Sequence, residues 1–226
     1  MLRFALARVG GHAGDPPAWL GESERRRWHV LAPAARAPFA AARALLRELL
    51  QDATGVAAAR WCVSAEAGTA PVATLGASAG APRVSLSHRL GWVAAAVADA
   101  AVGIDLECDR PSSSDPAERA ALMLAPIELA DWSALPAHER EAGLLARWSA
   151  KEAWFKASPA QAEARDFRRL RALACEPERA NVRTWRAAPL HVAVSFGDAA
   201  ALAAATGHGL PGPATSTSWH VASLSS

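Results

Sequence analysis

Apolar and polar residues along this chain follow a helical and a strand-like pattern, and both patterns occur in each half. Residues 38–51 carry leucines at positions 45, 46, 49 and 50, a spacing typical of one face of an amphipathic helix. This helix is expected to end near Thr54-Gly55, because glycine favours helix C-termini. Residues 22–28 predict a short, exposed helix. Brief apolar stretches bounded by turn residues predict strands over 1–9, 60–64, 84–88 and 92–98.

The second half continues the mixture of helix and strand. Helical patterns cover residues 116–124, 127–133 and 138–157, and strand patterns cover 102–107, 182–185, 191–196 and 219–224. The apolar stretches 92–98 and 102–107 predict a hairpin with its turn near Asp99-Ala100. The pattern therefore indicates an α+β fold, divided into an N-terminal half over residues 1–101 and a C-terminal half over 102–226.

Composition removes several classes of protein. About half of the 226 residues are hydrophobic and the net charge is only +2, so the chain can build a core and has no bulk attraction for nucleic acid or an anionic membrane. An RNA-binding function based on the arginine runs at 25–27 and 168–171 lacks interleaved aromatic residues. The three cysteines show no paired spacing, and no apolar run is long enough for a signal peptide or membrane span. We expect a cytoplasmic protein.

Lysine is almost absent from this arginine-rich chain. Of the 24 basic residues, only Lys151 and Lys156 are lysines. An ammonium is a compact point charge, whereas a guanidinium is a planar fork, so this pair indicates positions that need an ammonium. The alternative is chance. Lys156 is the stronger candidate, and Lys151, at the other edge of its helix face, is expected to tolerate arginine.

Two carboxylates lie close together on the predicted strand 102–107. Ile104 and Leu106 would face a core, while Asp105 and Glu107 would project from the opposite face, because side chains alternate along a strand. Neighbouring carboxylates repel each other unless a cation or a proton lies between them, and oxygen ligands favour a hard cation such as magnesium. The alternative is the solvated face of an edge strand.

A third carboxylate comes from the helix 138–157. At helical spacing Leu144, Trp148 and Phe155 share a face, Glu152 lies inside this apolar arc, and Lys156 lies at its edge. A simple helix pair between Glu152 and Lys156 explains the spacing but not a carboxylate on an apolar face. Three oxygen ligands beside a lysine indicate a site for a metal-bound pyrophosphate.

These two motifs resemble the signatures of a known family. Residues 102–107, followed by 148–157, are similar to the paired motifs of the 4'-phosphopantetheinyl transferase superfamily, in its larger monomeric branch, whose founding member activates surfactin synthetase. The Ser-Leu-Ser-His stretch at 85–88 and the arginine-containing helix at 39–50 also resemble this branch. The resemblance covers roughly residues 20–160.

The resemblance implies a fold and an activity. The fold would be a pseudo-twofold pair of similar subdomains, each a small antiparallel sheet packed on a helix, with the active site between them. The N-terminal subdomain would bind the coenzyme A phosphates. The C-terminal one would carry the metal-binding strand and the catalytic helix. The enzyme would move 4'-phosphopantetheine from coenzyme A to a serine of an acyl or peptidyl carrier protein and release 3',5'-ADP. A non-catalytic module that binds coenzyme A or a carrier protein is the alternative.

The resemblance also assigns roles to single residues. Asp105, Glu107 and Glu152 would hold magnesium, or manganese, and Glu152 would also activate the carrier serine. Lys156 would contact the phosphate and assist departure of 3',5'-ADP. The remaining assignments place His88, Arg36 and Arg43 on the 3'-phosphate of coenzyme A and Ser87 near the nucleotide.

The chain departs from the family pattern in one respect. It lacks the Gly-Lys-Pro element that often precedes the Ser-His stretch, so Arg83 or Arg89 would have to supply the missing phosphate contact. For carrier docking we expect a mainly apolar surface that includes Leu122, Met123 and Leu124, with core packing as the alternative.

Overall fold

The computed structural model describes residues 1–11, 14–76, 80–109, 115–158, 167–205 and 208–223. Within these ranges the helices and strands come in runs of each kind. The helices are α1 Glu22–Val30, α2 Pro33–Thr54, α3 Pro116–Met123, α4 Pro126–Ser133, α5 Ala137–Ala157 and α6 Ala199–Ala204. The strands are β1 Leu2–Arg8, β2 Cys62–Val63, β3 Ala73–Thr74, β4 Arg83–Arg89, β5 Trp92–Ala98, β6 Val102–Cys108, β7 Leu170–Ala174, β8 Val182–Ala187, β9 Leu190–Phe196 and β10 Thr215–Ser223.

The two main sheets share one topology. In the first half β1 pairs with β5, and β5 also pairs with β4, giving the antiparallel order β1-β5-β4. In the second half β6 pairs with β9, and β9 also pairs with β8, so the order β6-β9-β8 repeats that arrangement. Strands β10 and β7 extend the second sheet to five strands. The predicted α+β class with two similar halves is therefore confirmed, although the second half is larger. The boundary at residue 101 stays a prediction.

The predicted hairpin between the fifth and sixth strands is wrong. The hairpin joins β4 to β5 through Leu90-Gly91, where both residues have positive φ angles of 42° and 79°. Strand β5 already has partners on both edges, so β6 crosses over and starts the second sheet. Strand periodicity identifies β5 and β6 correctly but carries no information about which strands they pair with.

The sheets pack against each other and each carries a long helix on its other face. On β5, Val93, Ala95 and Val97 pack with α2, while Ala94, Ala96 and Ala98 face the second sheet. The core between the sheets contains Phe4, Ile104, Trp185, Val192, Val194 and Phe196. Helix α5 covers the far face of the second sheet through Ala150, Ala153 and Trp154.

The first two helices differ from the sequence expectation. Helix α2 begins at Pro33 rather than at residue 38, and Pro38 lies inside it, where a proline removes one backbone hydrogen bond near the helix start. Its end is confirmed, with Gly55 in the left-handed conformation. Helix α1 is not an exposed helix throughout, because Glu24 and Trp28 are buried. Glu24 forms an ion pair with the buried Arg47 of α2.

Gly103 allows α5 to approach β6 closely. A Cβ atom at this position would lie 1.9 Å from the carbonyl oxygen of Ala153 and 2.8 Å from the backbone nitrogen of Ala157. No side chain fits there without moving the helix, since the clash is with backbone atoms. The glycine thus sets the distance at which the last turns of α5 lie over the strand.

A buried ion pair fixes the other side of α5. The Lys151 ammonium is fully buried and donates hydrogen bonds to Glu128 and to the carbonyl oxygens of Met123 and Phe167. The Glu128 carboxylate also accepts from the backbone N–H groups of Ala125 at 2.7 Å and Ala172 at 2.9 Å. The pair therefore joins the α3–α4 connection, α5 and β7, the edge strand of the second sheet. The expectation that Lys151 tolerates arginine is not supported, because its three acceptors surround a compact ammonium.

We predict that Lys151→Arg lowers the free energy of unfolding by about 3 kcal/mol, because a larger, forked cation leaves part of a buried polar cluster unpaired. Urea denaturation measures this difference. Lys156→Arg is the matched control: the Lys156 side chain is 28% exposed and lines an open cleft, which leaves room for the larger guanidinium, so this variant should lose less than about 1 kcal/mol. Equal stability of the two variants would contradict the structural role given to Lys151.

Candidate active site

Two serine hydroxyls of β4 bind the outer edge of β6. The Oγ of Ser85 accepts a hydrogen bond from the N–H of Ile104 at 3.1 Å, and the Oγ of Ser87 accepts one from the N–H of Leu106 at 3.2 Å. β6 is an edge strand of its sheet, so these N–H groups have no ladder partner. Buried N–H groups need an acceptor, and the hydroxyls supply it. We call this line of contacts between β4 and β6 the seam.

The seam places Ser87 against Asp105. The Ser87 hydroxyl donates to Asp105 Oδ1 at 3.1 Å, so its proton and its lone pairs are all engaged. Ile104 and Leu106 are buried in the core, and Asp105 and Glu107 lie on the opposite face, as the alternation predicted. That face is not a solvated edge, however, because α5 packs onto it at Gly103.

Lys156 completes the contact between the two halves. Its ammonium lies 2.7 Å from Asp105 Oδ1, 3.1 Å from the carbonyl oxygen of Ile104 and 3.4 Å from the Ser87 hydroxyl. The lysine therefore satisfies an outer carbonyl of β6 in the same way as the serines satisfy its N–H groups. Ser87, Asp105 and Lys156 form one hydrogen-bonded cluster, and each comes from a different element.

The other two carboxylates belong to the same electrostatic group. Burial and then the charge of Asp105 raise the pKa of Glu107, although Arg89 and a hydrogen bond with Trp148 oppose this shift. Burial, followed by repulsion from Asp105, raises the pKa of Glu152 to about 7. Both carboxyl groups are therefore costly to ionise where they lie, because they are desolvated and have another carboxylate beside them.

The apolar arc predicted for α5 is only partly right. Its buried face contains Leu144, as expected, but continues through Ala150, Ala153 and Ala157. Trp148 and Phe155 are only partly buried and pack on Phe167. Small residues form the contact because Gly103 lets the helix backbone approach the strand. Glu152 is consequently half-buried beside the sheet rather than inside an apolar stripe.

The donor set fits a divalent cation. Asp105 Oδ2 is buried and has no hydrogen-bond partner among the described residues, which leaves a carboxylate oxygen available to a metal. Asp105, Glu107 and Glu152 provide oxygen ligands, the type that magnesium prefers. Within the described ranges, no three such side chains already stand in metal-binding geometry. Lys156 and Arg89 instead bind two of the carboxylates.

A cleft of about 950 Å³ opens beside this cluster. Lys156, Ala157 and Arg83 are among the residues that line it, whereas Asp105, Glu107 and Glu152 are not. Arg83 is exposed, whereas Arg89 contacts Glu107. Of the two arginines expected to replace the missing lysine contact, Arg83 is thus the one that already faces open space. Further lining residues are Met1, 70–74, 80–82, 84 and 99–102.

The predicted nucleotide-binding residues lie in two places. Ser87 is part of the seam, and His88 is close enough to Lys156 and Arg89 that they, after desolvation, lower the pKa of its imidazole. Arg36 and Arg43 instead contact their own region of the first half. The Nε of Arg36 donates to the carbonyl oxygen of Leu31, and Arg43 lies 3.4 Å from Glu24. Their roles stay predictions.

Sequence reasoning missed several residues that shape the site. Ser85 and Gly103 had no assigned role, Trp148 was considered only as part of the apolar helix face, and Arg89 only as a phosphate contact. Ser85, Ser87 and Arg89 are spaced by two along β4, which puts all three on one face of the strand. That spacing is visible in the sequence, but nothing there indicates that the face meets β6.

Comparison with known proteins supports the resemblance for the second half of the chain. Residues 101–206, less than half of the chain, match the family model of the 4'-phosphopantetheinyl transferase superfamily. This stretch contains Asp105, Glu107, Glu152 and Lys156. No curated protein matches the chain.

One solved structure similar to this chain is the crystal structure of Thermotoga maritima holo-[acyl-carrier-protein] synthase. The match has 20% sequence identity and a TM-score of 0.33, and it covers 42% of this chain and 60% of that protein. So low a TM-score does not define a shared fold.

None of the helices in the described part of the chain combines the length and apolar character that a membrane span requires.

We predict a pH-dependent stability that originates at Glu152. Its folded-state pKa of about 7 lies above its ordinary value of 4.5, so folding favours the protonated form. The stabilisation is complete below pH 4.5 and disappears as the pH rises through 7. In metal-free buffer the free energy of unfolding should therefore fall between pH 5 and pH 8, by about 1 kcal/mol for this half-buried group.

The Glu152→Gln variant should lose most of this pH dependence, and added magnesium should restore stability to the unmodified protein at pH 8. Thermal unfolding at both pH values measures the effect. The exposed Glu48 of α2 provides a matched control, since Glu48→Gln removes the same charge away from the site. If the stability of Glu152→Gln depended on pH as strongly as that of the unmodified protein, another group would be the cause of the pH dependence.

Proposed function

We propose that this protein transfers 4'-phosphopantetheine from coenzyme A to a serine of an acyl or peptidyl carrier protein, with magnesium, and releases 3',5'-ADP. The observation that carries the proposal is the cluster at the seam, where Lys156 contacts Asp105 and the charges of Glu107 and Glu152 act on the same site. The superfamily match over residues 101–206 supports it.

Asp105, Glu107 and Glu152 would hold the metal. When bound, magnesium would neutralise phosphate oxygens and polarise the phosphorus that is attacked. Asp105 Oδ2, which has no partner among the described residues, and the mutual repulsion of the carboxylates favour such an ion. Manganese offers the same ligand preference and is the alternative metal.

Glu152 and Lys156 would handle the proton and the leaving group. The carrier serine Oγ attacks the β-phosphorus of coenzyme A, a new P–O bond forms, and the bond to 3',5'-ADP breaks. A carboxylate with a raised pKa is a stronger base than usual, which suits Glu152 to accept the serine proton. The Lys156 ammonium would stabilise the negative charge that develops on the departing phosphate oxygen.

The carrier protein would dock near the connection between α3 and α4. Leu122 of α3 is 74% exposed and Ile127 of α4 is 47% exposed, whereas Leu124 is buried in the core. Leu124 is therefore a core residue. Of the three residues expected at the docking surface, Leu122 and the partly exposed Met123 remain available to a carrier protein. Met123 also binds Lys151 through its carbonyl oxygen, which fixes this surface relative to α5.

The function is tested by intact-mass spectrometry of a recombinant apo carrier protein incubated with coenzyme A and magnesium. The protein should add one phosphopantetheine group, and Asp105→Ala and Glu107→Ala should each lose turnover while they fold normally. Lys156→Arg should keep its affinity for coenzyme A but lower kcat about tenfold, equivalent to about 1.4 kcal/mol of transition-state stabilisation.

A non-catalytic module that only binds coenzyme A or a carrier protein gives a different result in the same experiment. It would bind coenzyme A in calorimetry without any mass change of the carrier. Full modification by Asp105→Ala, accompanied by a large loss of stability, would show that these carboxylates are structural and would contradict the proposal.

A further inference from the structure

Arg89 is a basic residue of the site that the proposed reaction does not use. It is the last residue of β4 and shares the face of Ser85 and Ser87, so it continues the seam beyond the two serines. Its Nε lies 2.9 Å from Glu107 Oε2, and the two side chains are 34% and 13% exposed. Among the described residues this Nε nevertheless has no aligned hydrogen-bond acceptor. The two groups therefore attract each other by charge without an aligned hydrogen bond at this Nε, and the Arg89 side chain remains partly exposed, so a competing anion can reach it.

The net charge of the site would change sign if a divalent cation bound there. Lys156 pairs with Asp105 and Arg89 pairs with Glu107, while no ion pair involving Glu152 is found in the described ranges. With Glu152 ionised, the cluster carries one negative charge in excess. A divalent cation held by the three carboxylates would convert this into one positive charge in excess, and it would release Arg89 and Lys156 from their carboxylate partners.

We propose that Arg89 has two successive partners: Glu107 before the metal binds, and a phosphate group of the nucleotide substrate afterwards. This proposal rests on the proposed function. A guanidinium released beside Ser87 and Lys156 has a planar fork that matches phosphate oxygens. The metal and the nucleotide then help each other to bind, because the metal frees Arg89 for the phosphate and the phosphate keeps Arg89 away from Glu107.

The test compares Arg89→Gln with the unmodified protein in two separate titrations by calorimetry. Magnesium chloride alone should bind roughly two- to fivefold more tightly to the variant, because a competing half-exposed ion pair is gone. In saturating magnesium, 3',5'-ADP should bind about tenfold more weakly, because a charge-assisted contact to phosphate is lost. A residue that only braces the seam would weaken both ligands together.

Two further variants keep the result interpretable. Arg26→Gln removes an equal charge from an exposed pair on α1 and should change neither affinity. Arg89→Lys keeps the charge, so it should bind magnesium like the unmodified protein and 3',5'-ADP several-fold more weakly. Unchanged or weaker magnesium binding in Arg89→Gln, or unchanged binding of 3',5'-ADP, would overturn the proposal. Failure of the unmodified protein to bind either ligand would instead overturn the proposed function, and this proposal with it.

Discussion

The hydrogen bonds from the backbone of β6 to the serine hydroxyls of β4 are the contact on which the rest of the structure depends. An edge strand buried between two halves must satisfy its outer N–H groups, and leaving one unpaired costs about 1–3 kcal/mol. Ser85 and Ser87 meet this requirement without a backbone ladder, so the two sheets stay separate but in fixed register. Asp105 and Ser87 are then brought together as a consequence of folding.

The helix that completes the site is positioned by two independent constraints. Gly103 lets α5 lie directly on β6, and the buried pair between Lys151 and Glu128 holds its opposite side. Together they bring Lys156 to the seam. The two lysines of the chain therefore do different work, since one stabilises the fold from a buried position and the other remains partly exposed at the opening of the cleft.

The carboxylates of the site lower the free energy of unfolding, because they are buried close together. Asp105 Oδ2 is buried without a partner in the described part of the chain, and burial, followed by repulsion from Asp105, raises the pKa of Glu152 to about 7. An arrangement selected only for stability would pair or expose these groups. Here Lys156 and Arg89 reduce the repulsion, and both are cations that a bound phosphate could use in turn.

The sequence predicts the parts of this site better than their arrangement. Alternation along residues 102–107 gave the correct faces for Ile104 and Asp105, because one strand period decides them. The predicted hairpin failed because pairing depends on which edges are already occupied. Helical spacing placed Trp148 on the buried face, whereas the close contact at Gly103 buries Ala150, Ala153 and Ala157 instead. The role of Lys151 was also missed, since Glu128 lies in another helix and only tertiary packing brings them together.

The central claim is that one seam joins the halves and also builds the site, and the paired variants Ser85→Ala and Ser87→Ala test it most directly. Both remove an acceptor for a β6 backbone N–H, but only Ser87 also contacts Asp105 and Lys156. Unfolding free energy and carrier modification should be measured on the same preparations. We expect each variant to lose about 1–2 kcal/mol of stability, and only Ser87→Ala to lower the rate of modification strongly. Equal rates for the two variants, or no loss of stability in either, would contradict this account.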